Sequence, residues 1–217
     1  MVNSAEKEQA DLVICGFNRV DENNKLITSK GHNYEVMNAK KFWQDIYFNR
    51  VESTIYTVAW NKLYSRKLFE KVRYRSGIKN EDDDIIYSLI SETNKILFIP
   101  NDLYYYRKRR GSIIDNMDKS TKLNLGILSI YHRRTLDFIN NKEFNFAKKN
   151  LENTIITLID DYAYEPHNQK LNYFEDVMRN DCRILMEHNC NPSIKSILFL
   201  KFKRISILIM KIKRKLI

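Results

Sequence analysis

Residues 80–107 read NEDDDIIYSLISETNKILFIPNDLYYYR, and they contain the clearest helix signal in the first half of the chain. Its first half places apolar residues at helical spacing behind a polar start, which predicts an amphipathic helix over 80–94. Asn80 is a common N-cap residue, and the acids after it complement the positive first turn of a helix. The second half is rich in β-forming and aromatic residues, and predicts strands over 95–100 and 102–107, separated by a Pro-Asn pair.

The segments upstream of this stretch also alternate between strand and helix patterns. Residues 11–19, DLVICGFNR, predict a buried strand, and the polar segment 20–31 predicts a hairpin or a surface loop. Amphipathic helices fit 34–50 and, more briefly, 65–72. This alternation favours an α/β fold.

The pattern changes after Asn116, where no convincing strand occurs. We therefore place a boundary near 115, between a mixed α/β part (1–115) and a helical part (116–217). Helical periodicity covers four segments, 119–140, 144–164, 172–188 and 193–215.

Composition excludes several classes of protein. The chain has 217 residues with only 5 Gly and 3 Pro, which argues against a loop-rich all-β fold. Its 3 Cys show no CxxC spacing, and its 4 His share no ligand spacing with them, so we expect a reduced, cytoplasmic chain without a Cys/His metal site. The N-terminus has no signal-peptide pattern, and no apolar run is long enough to predict a membrane-spanning helix.

The net charge of +10 arises mostly from the C-terminal end. From 188 to 217 there are eight basic residues and no acidic one, whereas the other 29 basic residues nearly balance 27 acids. Residues 193–217 predict a basic amphipathic helix that could bind an anionic membrane surface at the inner face of the cell membrane. The alternative is a helix packed on the helical part with solvated lysines. Nucleic acid is disfavoured as a partner because the cations lie among aliphatics without a stacking platform. The proposed apolar face comprises Ile197, Phe202, Ile205, Leu208, Ile209, Ile212 and Leu216.

Three segments combine polar groups with buried-looking ones: AWNKLY at 59–64, NEDDD at 80–84 and YYYRKRRGSI at 104–113. Each has an ordinary structural explanation when it is taken alone. The acids can complement a helix dipole, the arginines can belong to a solvated turn, and Trp60 can be a core residue. None of the three supports a function by itself.

Their order and spacing resemble the C-terminal, acceptor-side portion of bacterial family-2 glycosyltransferases of the GT-A fold. The segment ADLVICGF at 10–17 is similar to the strand that follows the metal-binding motif of that family, so the resemblance covers about 11–114. It implies an incomplete GT-A-like mixed sheet with flanking helices, followed by a C-terminal helical region. It also implies a role in capsule or exopolysaccharide synthesis, with a nucleotide-diphosphate sugar as hexosyl donor and a saccharide or lipid-linked acceptor.

The same resemblance assigns the catalytic carboxylates. Family-2 enzymes invert the anomeric carbon, and one carboxylate removes the proton of the acceptor hydroxyl. That base falls on Asp82, while Glu81 would help to hold the acceptor or a loop. We expect the helix dipole and Asn80 to favour the ionised form of Asp82.

The resemblance assigns two binding regions as well. Arg107, Arg109 and Ser112 would lie in a mobile loop over the donor diphosphate, and Gly111 would allow that loop to bend. The acceptor pocket would lie near the W-N-K residues, which are Trp60, Asn61 and Lys62 here.

The half of the family that binds the nucleotide and holds Mg²⁺ or Mn²⁺ on a D-x-D motif is expected to be absent before Ala10. The D-x-D string at 82–84 coincides with the position of the base, so we identify no metal ligands in this chain. By this interpretation the chain is inactive alone unless another chain supplies the missing half, and the strand at 11–19 exposes an unpaired edge. The alternative function is a non-catalytic membrane-surface or interaction protein that retains the fold.

Overall fold

A computed structural model describes residues 1–30, 33–49, 53–111 and 125–215. They form two compact units, Met1–Lys119 and Ser120–Ile217. The first unit is a mixed α/β sheet with flanking helices and the second is helical, which confirms the predicted fold class.

The first unit contains five helices and five strands in its described residues. In chain order these are α1 (Val2–Glu8), β1 (Leu12–Val20), β2 (Leu26–Lys30), β3 (Glu35–Met37), α2 (Ala39–Phe48), α3 (Ser53–Thr57), β4 (Lys62–Tyr64), α4 (Leu68–Lys71), α5 (Glu81–Ser91) and β5 (Ile96–Arg107).

The sheet is organised around β1, which lies between β5 and two shorter strands. The strand order is β2-β1-β5-β3, with β4 also paired to β1. The β1–β5 pair is parallel and the other pairs are antiparallel. Opposite β5, the strand β4 covers 12–14 of β1 and the hairpin strand β2 covers 17–20. The expected open edge on this strand is therefore wrong, because the chain's own segments pair with β1 on both sides.

β5 is one strand rather than the predicted two. Its register with β1 passes from Ile99 opposite Cys15 to Asp102 opposite Gly16, so Pro100 and the residue after it are absorbed by an irregularity. A proline has no N–H to give to a ladder, and a bulge is a position where it is tolerated.

The segment predicted as a helix over 34–50 begins as the short strand β3. The helix starts only after Asn38, whose side-chain Oδ1 accepts a hydrogen bond from Lys41 N at 2.9 Å. The helical spacing correctly predicted α2. It could not predict β3, because that strand forms by pairing with β5, which is distant in the chain.

The apolar side of α5 is buried in the first unit. The predicted apolar stripe of α5 is confirmed, since Ile86, Leu89 and Ile90 are fully buried. Leu89 clusters with Leu68 of α4, and the sheet contributes a second buried cluster that includes Val13. Burial of this stripe fixes the direction in which the first turn of α5 presents its acidic residues.

The helical unit contains five described helices. The prediction for 193–215 was a single helix, but the chain breaks at Phe202, which has φ −128° and ψ 47°. No helix among the described residues is both long and apolar enough to cross a membrane. The helices are α6 (Leu125–Asn140), α7 (Phe144–Tyr164), α8 (Gln169–Glu187), α9 (Ile194–Lys201) and α10 (Lys203–Lys215).

Candidate active site

Asp82 lies in the first turn of α5 and accepts a hydrogen bond from the backbone N–H of Ala59. Burial raises the pKa of its carboxyl, with Glu81 and Asp83 adding to the rise, while the Ala59 N–H and Lys62 oppose it. The expected lowering of this pKa is therefore wrong, because desolvation outweighs the favourable partners.

Asn80 precedes α5 in the left-handed region, with φ 61°, and its side chain makes no capping hydrogen bond. The predicted N-cap position is correct, but the Asn80 side chain does not cap the helix by a hydrogen bond. Asparagine is one of the few residue types that tolerates this backbone conformation.

The acidic residues at the start of α5 face different partners. Asp84 forms a bidentate pair with Arg75, with Nε to Oδ2 at 2.7 Å and a second contact from Nη2 to Oδ1. Glu81 is exposed, and Asp82 is turned to Ala59. Among the described residues no group of three His, Cys, Asp or Glu side chains could hold a metal ion. The two outer carboxylates of the D-x-D string thus have different partners, and the expectation that this string holds no metal stays a prediction.

A tight turn precedes β4 and is closed by a hydrogen bond from Lys62 N to Ala59 O at 3.2 Å. Asn61 is 1% exposed and makes two hydrogen bonds to Cys15 of β1. Its side-chain Nδ2 donates to the Cys15 carbonyl at 3.0 Å, and its backbone carbonyl accepts from Cys15 N at 3.0 Å. Its Nδ2 also donates to Ile55 O at 3.0 Å. These contacts occupy Asn61 inside the unit, and direct acceptor binding by this residue stays a prediction.

Lys62 extends beneath the same turn. Its Nζ donates to Ile55 O at 3.0 Å, to Asn61 Oδ1 at 2.9 Å and to Val58 O. Burial lowers the pKa of Lys62 to about 7, although the negative charge of Asp82 opposes the shift. The predicted acceptor residue is thus a partly buried lysine that interacts electrostatically with the predicted base.

Trp60 connects this turn to the end of β5. Its ring stacks on Tyr104 with centroids 4.4 Å apart and on Tyr106 at 5.4 Å, and meets the edge of Phe17 at 4.7 Å. Because the neighbouring Ala59 binds Asp82, one short turn joins the base to the strand that leads into the basic segment.

The described part of the basic segment is bound to the β1–β2 turn. Arg107 Nη2 donates to Asn24 Oδ1 at 2.6 Å, and Arg110 N donates to Glu22 Oε1 at 2.8 Å. The Arg109 side chain is exposed. Ser112 lies outside the described residues. The roles of Arg107 and Arg109 at a diphosphate stay predictions.

Gly111 has φ 73°, a left-handed conformation that glycine adopts without strain. The bend expected at this residue is therefore present in the backbone, directly after the basic residues. A side chain here would strain the backbone, even though no other atom lies within 4 Å of the place that its Cβ would occupy.

Sequence reasoning missed two tyrosines beside Asp82. Tyr64 donates its hydroxyl to Tyr74, and burial together with the charge of Asp82 raises the pKa of both phenols. Phe69 stacks on the Tyr74 ring with centroids 6.2 Å apart. Tyr64 belongs to the AWNKLY segment, but nothing in the sequence marks Tyr74, which the loop before α5 brings to the site.

The helical unit has a cavity of about 390 Å³, and none of the predicted site residues lines it. Its lining is mostly apolar and lies on α6 and α8. The lining residues are Leu125, Gly126, Ser129, Lys170, Tyr173 and Phe174.

Comparison with known proteins gave two informative relatives, while no family model matches the chain. Glycosyltransferase GlyA of Streptococcus pneumoniae serotype 4 (strain ATCC BAA-334 / TIGR4) is 26% identical over 110 residues, 48% of this chain and 16% of the relative. Glycosyltransferase GlyG of the same strain is 27% identical over 124 residues, 52% of this chain and 40% of the relative.

The matched segments span well under half the length of both relatives. The names of both relatives agree with the glycosyltransferase resemblance drawn from the sequence. Over about half of its length, this chain is related to bacterial glycosyltransferases.

Proposed function

We propose that this chain provides the acceptor side of an inverting glycosyltransferase of the family-2, GT-A type. The observation that supports this most directly is Asp82, a partly buried carboxylate on the first turn of a well-packed helix, held by a backbone N–H. A general base has to reach the acceptor hydroxyl within hydrogen-bond distance, and a rigid helix start can present it in a fixed position.

In the proposed reaction Asp82 takes the proton of an acceptor hydroxyl as that oxygen bonds to the anomeric carbon. The bond from that carbon to the diphosphate oxygen breaks on the opposite face, and the diphosphate leaves with the electron pair. Arg107 and Arg109 place positive charge where the diphosphate departs. For the acceptor sugar we propose Trp60, which follows the Ala59 that holds the base, and Tyr74, which interacts with Asp82.

Apart from Arg107 and Arg109, the proposal leaves the donor side of the reaction to residues other than the described ones. Among the described residues no three His, Cys, Asp or Glu side chains form a group that could hold a cation, and no step here is routed through Mg²⁺ or Mn²⁺. The matched relatives are much longer than the matched segments, which fits a division of labour between parts of a larger protein or between two chains. Bacterial surface polysaccharide synthesis, with a hexosyl donor, is the proposed setting.

The function can be tested in extracts of the cells to which the chain is native. Nucleoside diphosphate release from a panel of nucleotide sugars is measured with saccharide and lipid-linked acceptors, before and after immunodepletion of the chain. We expect depletion to reduce release and the purified chain to restore it, with inverted anomeric configuration in the product by NMR. Unchanged release after depletion, or a retained configuration, would contradict the proposal.

A specific observation favours a location at a membrane surface. This location fits a glycosyltransferase and also fits the alternative, a non-catalytic membrane-surface protein. One side of α10 exposes a stripe of large apolar residues, Ile205, Leu208, Ile209 and Ile212, each more than half exposed. Lys203 on the other side donates to Glu175 Oε2 at 2.6 Å.

The charges beside this stripe indicate which surface it binds. Lys201, Arg204, Lys211 and Lys213 are exposed next to the stripe, and no acidic residue occurs from 188 to 217. An apolar stripe bordered only by cations fits the surface of an anionic bilayer, where each cation contributes about 1 kcal/mol. A lipid-linked acceptor would then lie in the same plane as the chain.

We predict that Ile205→Asp combined with Ile209→Asp weakens binding to vesicles of phosphatidylglycerol and phosphatidylcholine about 100-fold. The loss combines removal of two inserted side chains, worth about 1.5–3 kcal/mol each when fully buried, with new repulsion from the lipid. Co-sedimentation of the full chain measures it. A chain ending at Pro192 should bind equally weakly.

The matched control is Tyr173→Asp combined with Met186→Asp, which places the same two charges on exposed apolar positions of α8. This variant should lose no more than a few-fold. An equal loss in both double variants would show that net charge, rather than the α10 stripe, governs binding.

A further inference from the structure

The turn at 59–62 has a side chain that the proposed reaction does not use directly. Lys62 Nζ contacts three acceptors, two of which are the carbonyls of Ile55 and Val58 at the C-terminal end of α3. The C-terminal end of a helix has unpaired, partly negative carbonyls, and an ammonium satisfies them well. The third acceptor, Asn61 Oδ1, belongs to the residue that locks the turn to β1.

We propose that Lys62 is a positioning residue for Asp82: its hydrogen bonds fix the turn whose Ala59 N–H holds this carboxylate, and its protonated form favours the carboxylate. The inference rests on the proposed function for the role of Asp82 as base. It does not require Lys62 to touch a substrate.

The charged surroundings of Asp82 support this assignment. On its own helix, Glu81 and Asp83 are negative and disfavour a second charge. From β4 and the loop before α5, Tyr64 and Tyr74 face it with neutral hydroxyls. Among the described groups that act on Asp82, Lys62 carries the opposite charge. Asp82 and Lys62 each stabilise the charged form of the other.

Mechanically, the contacts of Lys62 explain why the turn keeps its shape. The Ala59 N–H points at Asp82 only while the turn is closed, and the Lys62 side chain binds the α3 carbonyls on one side and Asn61 on the other. A loose turn would release the N–H, and the carboxylate would lose both the hydrogen bond and its fixed direction.

The test is a substrate-free titration of the full chain, with the Asp82 side-chain carboxyl followed by carbon-detected NMR. We expect Lys62→Met to raise the Asp82 midpoint and to increase the exchange rate of the Ala59 amide. Lys62→Arg, which keeps the charge, should leave the midpoint nearer that of the unchanged chain. Lys71→Met removes an exposed lysine paired with Glu92 and should shift nothing.

A reciprocal measurement covers the case in which Lys62→Met does not fold. In the Asp82→Asn chain the midpoint of Lys62 itself should fall, because the coupling between two groups is equal when measured from either side. Unchanged midpoints in both experiments would overturn the inference.

These outcomes can be separated from failure of the proposed function. Coupled midpoints in a chain that transfers no sugar would refute only the transferase assignment. Transfer that depends on Asp82 in a chain without coupling would refute only the positioning role of Lys62.

Discussion

Asp82→Asn should lower the rate of sugar transfer about 10³-fold or more, with little change in acceptor affinity. The amide has the size of the carboxyl but cannot take the proton of the attacking hydroxyl, and general-base catalysis typically contributes 10²–10⁴-fold. Transfer is measured as kcat and KM in the restored cell extract, with the purified variant replacing the purified chain. Loss of kcat with KM retained would identify a group that acts in the transition state.

The matched control for this exchange is Glu92→Gln, the same acid-to-amide change at the C-terminal end of α5, where Glu92 pairs with Lys71. It should transfer at the normal rate.

Asp82→Asn should also be more stable than the unchanged chain at neutral pH. The raised pKa of Asp82 means that the folded state disfavours its charged form. In the unchanged chain, the free energy of unfolding therefore falls as pH rises through the folded pKa, and the asparagine variant avoids this loss. A poorly folded variant would make a rate loss uninformative.

The pH profile of transfer should follow the same group. Because the base works deprotonated and burial raises the pKa of Asp82, the rate should fall on acidification at a higher pH than an ordinary aspartate would give. If the rate instead falls at the usual pKa of an aspartate, a residue other than Asp82 is the base.

Asn61→Leu should destabilise the α/β unit by about 3–5 kcal/mol. The substitution leaves the buried carbonyl of Cys15 without its side-chain donor and removes the Asn61 acceptor of Lys62. It also takes one of two donors from Ile55 O, which keeps the hydrogen bond from Lys62. Each unsatisfied buried group costs about 1–3 kcal/mol, and leucine supplies no replacement. The free energy of unfolding is measured by urea denaturation of the full chain.

Tryptophan fluorescence is the suitable probe, since both tryptophans, Trp43 and Trp60, lie in the first unit. Asn101→Leu makes the same chemical change at an exposed position of β5 and should alter stability by less than about 0.5 kcal/mol. Similar losses in both variants would mean that the internal bonds of Asn61 contribute little.

Local patterns in the sequence predicted much of the architecture. The stripe of α5 and the bounds of α7 follow from apolar spacing, which needs no knowledge of distant residues. The class of the fold was predictable for the same reason. The continuity of β5 through Pro100 was not, because it depends on the register with β1.

The chemistry of the site was less predictable than the fold. The sequence assigned Trp60, Asn61 and Lys62 to an acceptor pocket and Asp82 to the base, and these roles stay predictions. It could not show that Asn61 and Lys62 turn inward. Nor could it show that burial outweighs the helix dipole at Asp82, since desolvation is a property of tertiary packing.

The parallel pairing of β1 with β5 has a kinetic consequence. These strands are joined through more than seventy intervening residues, so the central ladder forms only after a large loop has closed, at a considerable entropic cost. The helices α6 and α7, by contrast, are separated by three residues and make contacts that are local in sequence. Low contact order favours rapid folding, so the later-synthesised helical hairpin should acquire its structure faster than the sheet that precedes it.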